Sequence, residues 1–386
     1  MTYTIPKKKN SVVFISRFDN YYDGNLKYLF EYVKLNRNSL EAKYILSDIK
    51  SLGLEDNSLD LIEFPSLSSI AAILRSKYLI TDGNGWAAQY KNFMAFRSKK
   101  IQVWHGNGIK KIGLMNPNLL KNYPKYKRLI TYKYPKYDVV MMPSKTQAMN
   151  RHKAFNYSQV MINGLPRNDQ FFEEKKPNFK HDDLEELITK VVIKNQKLIV
   201  YMPTWRKVRN SLDSSEVLDY DSLNDFCKQS NALFVIKQHP KDQLDLFVSN
   251  RENIYYLEKH IDIYPLLKYS DCLITDYSSI YLDYLLLDKP ILFYVYDYHD
   301  YINQERELQY DFKSVTPGPM IHSFTDLINE LMAVFNLDHD FSKQRSDVRD
   351  YFFHYKDDKS SKRLIDYIIN DLSEEFIFLK KSDLIK

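Results

Sequence analysis

A chain of 386 residues that is 44% hydrophobic and 27% charged is long enough for two domains and apolar enough to bury a sizeable core. Its two cysteines, Cys227 and Cys272, are too few for a disulfide framework and lack metal-ligand spacing, which excludes the disulfide-rich secreted class and makes a reducing cytoplasm the default. The apolar run Val12 to Ile15 is too short for a signal-peptide core, and no uninterrupted run of about 18 apolar residues occurs, so no membrane-spanning helix is expected.

In chain order, residues 11–16 read as a strand and 25–35 as a helix, with strands at 42–46 and 59–64 and a helix at 66–75. A strand at 78–81 ends in Asp82-Gly83-Asn84-Gly85, and one at 101–104 leads into His105-Gly106-Asn107-Gly108. Strands at 139–142 and 160–162 complete this half. Residues 173–183 form a charged, Pro-containing connector. The pattern then restarts with helix 184–190, strand 198–202, helix 217–228 and strands 233–237 and 254–257. Residues 272–275 form a buried strand and Asp276-Tyr277 turns the chain. Ser278 or Ser279 then stands where a helix N-cap belongs, ahead of an apolar-periodic run that Lys289-Pro290 ends. A strand at 291–294 and helices at 323–335, 341–352 and 359–378 follow. Repeated strand-then-helix units with polar turns predict parallel doubly wound sheets. The expected fold is α/β and GT-B-like: two Rossmann-like domains, 1–172 and 184–386, facing a cleft, with a helical C-terminal tail.

Charge is spread unevenly. Between Gly83 and Tyr137 there is no Asp or Glu, while twelve Lys and Arg residues occur. Such a block suits an anionic partner: a phosphorylated substrate, a membrane surface or nucleic acid. Within it, Lys121, Lys125, Lys127, Arg128, Lys133 and Lys136 are interleaved with tyrosines, as at an anionic membrane interface. A loop that grips the acceptor's phosphates without touching lipid is the other reading. Nucleic-acid binding leaves the remaining motifs unexplained.

Chemistry-bearing residues recur at strand ends. His105 follows a buried strand and is flanked by Gly106 and Lys110, a setting for a general base with cations nearby. The alternative is a structural hydrogen-bonding histidine. Five of the nine glycines fall between Gly83 and Gly113, implying close backbone approach there. In the second half, Pro203-Thr204-Trp205-Arg206 and Gln238-His239-Pro240 follow strands, and Arg206 has the fork geometry for phosphate oxygens. Asp276-Tyr277-Ser278-Ser279 stands at a strand's carboxyl end, where phosphates and sugar hydroxyls bind in parallel sheets. A well-capped helix is the plainer reading of that turn.

Taken together, His-Gly at 105–106, Gly-x-Pro-Arg-x-Asp at 164–169, Pro-Thr-Trp-Arg at 203–206, His-Pro at 239–240 and Thr-Asp-Tyr-Ser-Ser at 275–279 resemble the CDP-glycerol glycerophosphotransferase family. The resemblance covers about residues 101–320. It implies a GT-B-like fold, a CDP-activated polyol donor and a lipid-linked or polymer acceptor in teichoic acid or capsule synthesis. With such an acceptor, the basic, tyrosine-interleaved stretch predicts a peripheral position on the cytoplasmic face of the membrane. By position, His105 and His239 match the family's essential histidines. Ser278 and Ser279 match its diphosphate contacts and Arg206 a phosphate-proximal arginine. Arg306 and Asp311 match a stretch before Pro317-Gly318-Pro319. Thr204 and Asp276 complete the implied donor set, and Gly106, Lys110 and Arg167 the acceptor and phosphate set. Asn107-Gly108 departs from the family's usual Thr-Pro, and residues 307–310 from its usual Gly-Phe-Tyr-Phe. No Asp-x-Asp metal motif stands in a plausible turn, so no protein-held metal is expected, with Mg²⁺ entering on the nucleotide if at all. A GT-B glycosyltransferase using a nucleotide sugar is the alternative function. It would release a nucleoside diphosphate instead of CMP.

Overall fold

The computed structural model describes residues 5–17, 21–37, 39–50, 60–89, 91–122, 124–133, 135–173, 182–204, 217–238, 251–258, 261–304, 308–338, 340–370 and 376–384. Its strands in chain order are β1 (Lys8–Ile15), β2 (Glu41–Leu46), β3 (Leu61–Glu63), β4 (Ser76–Thr81), β5 (Lys99–Gln102), β6 (Tyr137–Met142) and β7 (Tyr157–Ile162). They continue as β8 (Lys197–Met202), β9 (Ala232–Lys237), β10 (Ile254–Leu257), β11 (Cys272–Thr275), β12 (Ile291–Tyr294), β13 (Met320–Ile321) and β14 (Ile377–Lys380). The chain divides into two units. The first holds Met1–Gly106, Lys111–Phe172 and Tyr351–Lys386, and the second holds Asn107–Lys110 and Glu173–Asp350.

The first unit's sheet runs β14-β7-β6-β5-β4-β1-β2-β3, parallel throughout except for β14. Both faces are covered, which is why its strands read as apolar runs. Val12 and Phe14 enter one core with Leu26, Leu29 and Phe30 of the helix Gly24–Asn36. Val13 and Ile15 enter the other with Ile73, Trp86 and Phe155. The second unit's sheet runs β10-β9-β8-β11-β12-β13, all parallel. One of its faces is packed by Leu223 and Cys227 from the helix Tyr220–Gln229 and by Leu327 and Leu331 from the helix Phe324–Phe335. Two parallel sheets with helices form the expected GT-B-like architecture.

The chain's end differs from expectation. The helix predicted over 359–378 spans only Ser360–Ile369, because Asn370 adopts a left-handed conformation (φ 58°) that ends it. Ile377–Lys380 then pairs antiparallel with β7, Ile377 against Ile162 and Lys380 against Gln159. The helix buries Leu364, Ile365 and Ile368 in the first unit's core, so residues 351–386 belong to that unit and not to the second, donor-binding domain predicted over 184–386. Apolar spacing alone does not tell which of two cores a helix will cover. The helix predicted over 217–228 starts instead at Tyr220, where the Asp219 carboxylate caps the backbone N–H groups of Asp221 and Ser222.

Candidate active site

In an open parallel sheet, ligands bind outside the carboxyl ends of the strands where the strand order reverses. In the first unit that point lies between β1 and β4. The residues just beyond those strands are locked together. Arg17 donates its backbone N–H to Asp82 Oδ1 (2.6 Å) and Nη1 to Oδ2 (2.8 Å), while Nη2 reaches Asp23 (2.8 Å). Asp82 is fully buried, so its charge depends on that fork. A Cβ on Gly83 would stand 2.2 Å from Arg17 Cβ, so glycine is what lets the two strand ends approach.

His105 follows β5, the neighbour of β4, and its Nδ1 lies 3.1 Å from the Asp82 carbonyl oxygen. A carbonyl only accepts, so Nδ1 carries the proton and Nε2 keeps its lone pair in the neutral ring. Trp104 packs on this imidazole at 4.0 Å. It does so from a left-handed backbone (φ 53°), a conformation costing an ordinary residue about 1–2 kcal/mol. Arg167 Nη1 donates to the His105 carbonyl (2.8 Å), and Asn25 Nδ2 donates to the Trp104 carbonyl (2.8 Å). Gly106 has φ 134°, and a Cβ there would lie 2.3 Å from Arg167 Nη2. Burial, followed by the charge of Arg17, pushes the His105 pKa down to about 3. The Asp82 hydrogen bond opposes this, and Arg167 and Arg151 add to it. The ring is therefore a neutral acceptor at physiological pH.

Two residues on, Asn107 is buried, and neither its Oδ1 nor its Nδ2 has a partner among the described residues. An orphaned buried polar group costs about 1–3 kcal/mol unless a ligand completes it. Asn107–Lys110 groups with the second unit. There Lys110 bridges to Leu308 and its Nζ stands 5.3 Å from the centre of the Tyr301 ring.

In the second unit the strand order reverses between β8 and β11. Again an aspartate ties the two ends together. Asp276 accepts the Thr204 N–H (2.9 and 3.0 Å) and the Thr204 hydroxyl (2.5 Å). Ser278 and Ser279 lie beside this junction, partly exposed, and their hydroxyls make no hydrogen bond among the described residues. The expected side-chain cap is absent. Ser279 itself has helical dihedrals (φ −74°, ψ −1°), so its hydroxyl does not fold back onto the helix start. That helix is also short, Ile280–Tyr284 followed by a 3₁₀ turn, which leaves it a weak dipole. Tyr277 is buried, stacks on Tyr301 at 3.6 Å and donates its hydroxyl to Asp297 (3.2 Å).

Of the other sequence-predicted residues, Asp311 caps the helix Phe312–Val315 by accepting the Ser314 N–H (3.0 Å), and Phe312 packs against Tyr277. Asp169 caps the helix Ser360–Ile369 through the backbone N–H groups of Ser360 (2.9 Å) and Ser361 (2.8 Å). The Gly-x-Pro-Arg-x-Asp motif thus serves the His105 turn with Arg167 and the C-terminal helix with Asp169. Arg206, His239 and Arg306 lie outside the described residues. Lys237, just before Gln238-His239, is buried and donates to the Glu258 carbonyl, and burial lowers its pKa to about 8. Lys121, Lys125, Lys127, Lys133 and Lys136 are exposed and Arg128 is half-buried, beside the exposed Tyr126 and Leu129. Sequence reasoning missed Arg17, Asn25, Asp82 and Tyr301. The signal for Asp82 was its place between a strand and two glycines. The roles of Arg17 and Asn25 emerge only with the strand order.

Comparison with known proteins agrees with this architecture. Residues 1–370 match the family described as CDP-Glycerol:Poly(glycerophosphate) glycerophosphotransferase. The chain is 28% identical over 382 residues to a teichoic acid poly(glycerol phosphate) polymerase of Bacillus spizizenii, covering 95% of this chain and 93% of that protein. It is 29% identical over 397 residues to a teichoic acid poly(ribitol-phosphate) polymerase of the same organism, covering 96% of this chain but 58% of that longer protein. The solved structure of the wall teichoic acid polymerase TagF shares the fold, with a TM-score of 0.72 at 22% identity over 95% of this chain and 90% of that one. The family match runs through both switch points and the His105 turn, and the chain belongs to the CDP-glycerol:poly(glycerophosphate) glycerophosphotransferase family.

Proposed function

We propose that the protein transfers a polyol phosphate, from CDP-glycerol or CDP-ribitol, to a hydroxyl of a lipid-linked or growing polymer acceptor in teichoic acid or capsule synthesis. The observation that carries the mechanism is the single tautomer of His105: with Nδ1 committed to the Asp82 carbonyl, Nε2 is the one ring atom left to take a proton. In this reading the acceptor hydroxyl attacks the donor phosphorus that bears the polyol. Its proton passes to His105 Nε2, the bond from that phosphorus to the bridging oxygen breaks, and CMP leaves with the electron pair. Burial, and after it the positive charge close to His105, holds the ring neutral in the free protein. An anionic donor offsets that charge, so the base strengthens when its substrate is bound.

The free hydroxyls of Ser278 and Ser279 support a diphosphate contact beside the Asp276–Thr204 junction. Arg206, His239 and Arg306 join that donor set by resemblance. Asn107, with its amide unspent, is assigned to the donor's polyol hydroxyls. Magnesium, where it takes part, is proposed to arrive on the nucleotide. Among the described residues no helix is long and apolar enough to cross a membrane. Exposed lysines interleaved with Tyr126 and Leu129 support peripheral attachment to an anionic surface, on the cytoplasmic face where nucleotide donors are available.

The test of the base is His105→Ala. Acceptor-dependent CMP release should fall by about 10²–10⁴-fold while CMP binding stays within a few-fold. Parallel loss of nucleotide affinity and turnover would assign His105 to binding instead.

A further inference from the structure

Next to the segment that leads into β7, the first unit carries an open cavity of about 500 Å³. Its floor is apolar, formed by Leu114 and Phe155, and its rim carries Lys133, Lys153 and Lys381. Lys133 and Lys153 are exposed, and neither ammonium group has an ion pair among the described residues. Lys381 is steadied against the Tyr157 ring (4.8 Å) and the Phe155 carbonyl (3.4 Å). The remaining lining residues, His152 and Asn156, add polar groups and no negative charge. Asn156 spends Nδ2 on the Lys133 carbonyl (2.6 Å), which fixes that lysine's backbone at the rim.

Three cations with no opposing carboxylate in the lining select an oxyanion, and the apolar floor selects one attached to carbon. The cavity lies at the amino ends of β6 and β7, while His105 stands beyond the carboxyl end of β5, and packed rings connect the two. Phe155 packs against Trp104 at 4.8 Å, and Trp104 packs against His105 at 4.0 Å.

We propose that this cavity is a subsite for the acceptor, holding a phosphodiester of its chain remote from the hydroxyl activated by His105. Lys133, Lys153 and Lys381 pair its oxygens, and Leu114 and Phe155 lie under the polyol carbons. This rests on the transfer reaction proposed above. It assigns to Lys133 a role inside a built cavity, with partners drawn from outside the acid-free stretch.

The experiment is calorimetric titration of the full chain with a soluble oligo(glycerol phosphate). The variant is Lys133→Gln/Lys153→Gln, and the charge-matched control is Lys77→Gln/Lys145→Gln, both exposed lysines of the first unit away from the cavity. The cavity variant should bind the oligomer about ten-fold more weakly, the control within about two-fold of wild type, as expected for lost charge-assisted contacts rather than lost net charge. His105→Ala should bind it like wild type. If His105→Ala retained turnover while lysine-dependent binding persisted, the base assignment would fall and the cavity would stand. No oligomer binding by wild type, or equal binding by the cavity variant, would overturn the proposal. So would an effect confined to vesicles of anionic phospholipid, which would assign the lysines to lipid headgroups.

Discussion

At the scale of single residues, His105 shows how an environment selects a role. Burial, and after it the charge of Arg17, makes protonation unfavourable, and the Asp82 carbonyl fixes which nitrogen is left over. A histidine pKa lowered to about 3 in the folded protein means the imidazole stays neutral far below its ordinary titration near 6.5. Since kcat/KM reports the free enzyme, its acid limb should not appear between pH 8 and about 5 on account of this residue. A half-maximal point near pH 6.5 that disappears in His105→Ala would contradict the assignment. The same shift makes His105 a source of acid instability: the unfolded chain takes up a proton as pH falls below about 6.5 and the folded chain does not.

Asn107 offers a different contrast. Because its amide is unsatisfied in the free protein, Asn107→Ala should leave the unfolding free energy unchanged or slightly raised. The KM for the donor should rise by about ten-fold, the cost of removing a ligand's partner. Loss of stability with an unchanged KM would make it a structural residue. His105 and the serine pair were visible in the sequence because they stand at or just beyond the end of an apolar run, and Asn107 only as a departure from the family's usual residue. Arg17 and Asn25 were not visible, since what they touch lies 65 and 79 residues away along the chain.

At the scale of elements, strand runs and the turns after them were legible because both faces of each sheet are buried and the strands carry few polar residues. Helix starts were less so. At Ser278-Ser279 the composition of an N-cap is present without its geometry, because the chain enters the short helix already in helical dihedrals. At 359–378 an apolar pattern hid a helix and an edge strand, Phe376 and Phe378 facing one core and Ile377 and Leu379 the other. Asp169 anchors that tail. Asp169→Ala removes the acceptor of two backbone N–H groups at the start of the helix Ser360–Ile369, and should lower stability by about 1–2 kcal/mol in chemical denaturation. An unchanged midpoint would mean that the packing of Leu364, Ile365 and Ile368 alone holds the helix.

At the scale of the molecule, the two units repeat one solution. In each, a buried aspartate just beyond a central strand binds a residue just beyond the neighbouring strand, Asp82 to Arg17 and Asp276 to Thr204, so that the reversal point is rigid and the adjacent loop is free to carry chemistry. That correspondence needed the strand order and could not be read from the spacing of motifs. The basic, aromatic surface between Pro117 and Lys136 should bind vesicles containing anionic lipid in flotation, with binding lost on raising salt to about 0.5 M, where screening shortens to a few ångströms. Binding to neutral vesicles alone would contradict an electrostatic interface.

Polyol-phosphate transfer is read out without ambiguity as CMP release. The purified chain is incubated with CDP-glycerol, and separately with CDP-ribitol, in the presence and absence of a short lipid-linked acceptor analogue. CMP should appear from at least one donor, dependent on acceptor and reduced by about 10²–10⁴-fold in His105→Ala. No CMP from either donor, with release of a nucleoside diphosphate from a nucleotide sugar, would contradict it.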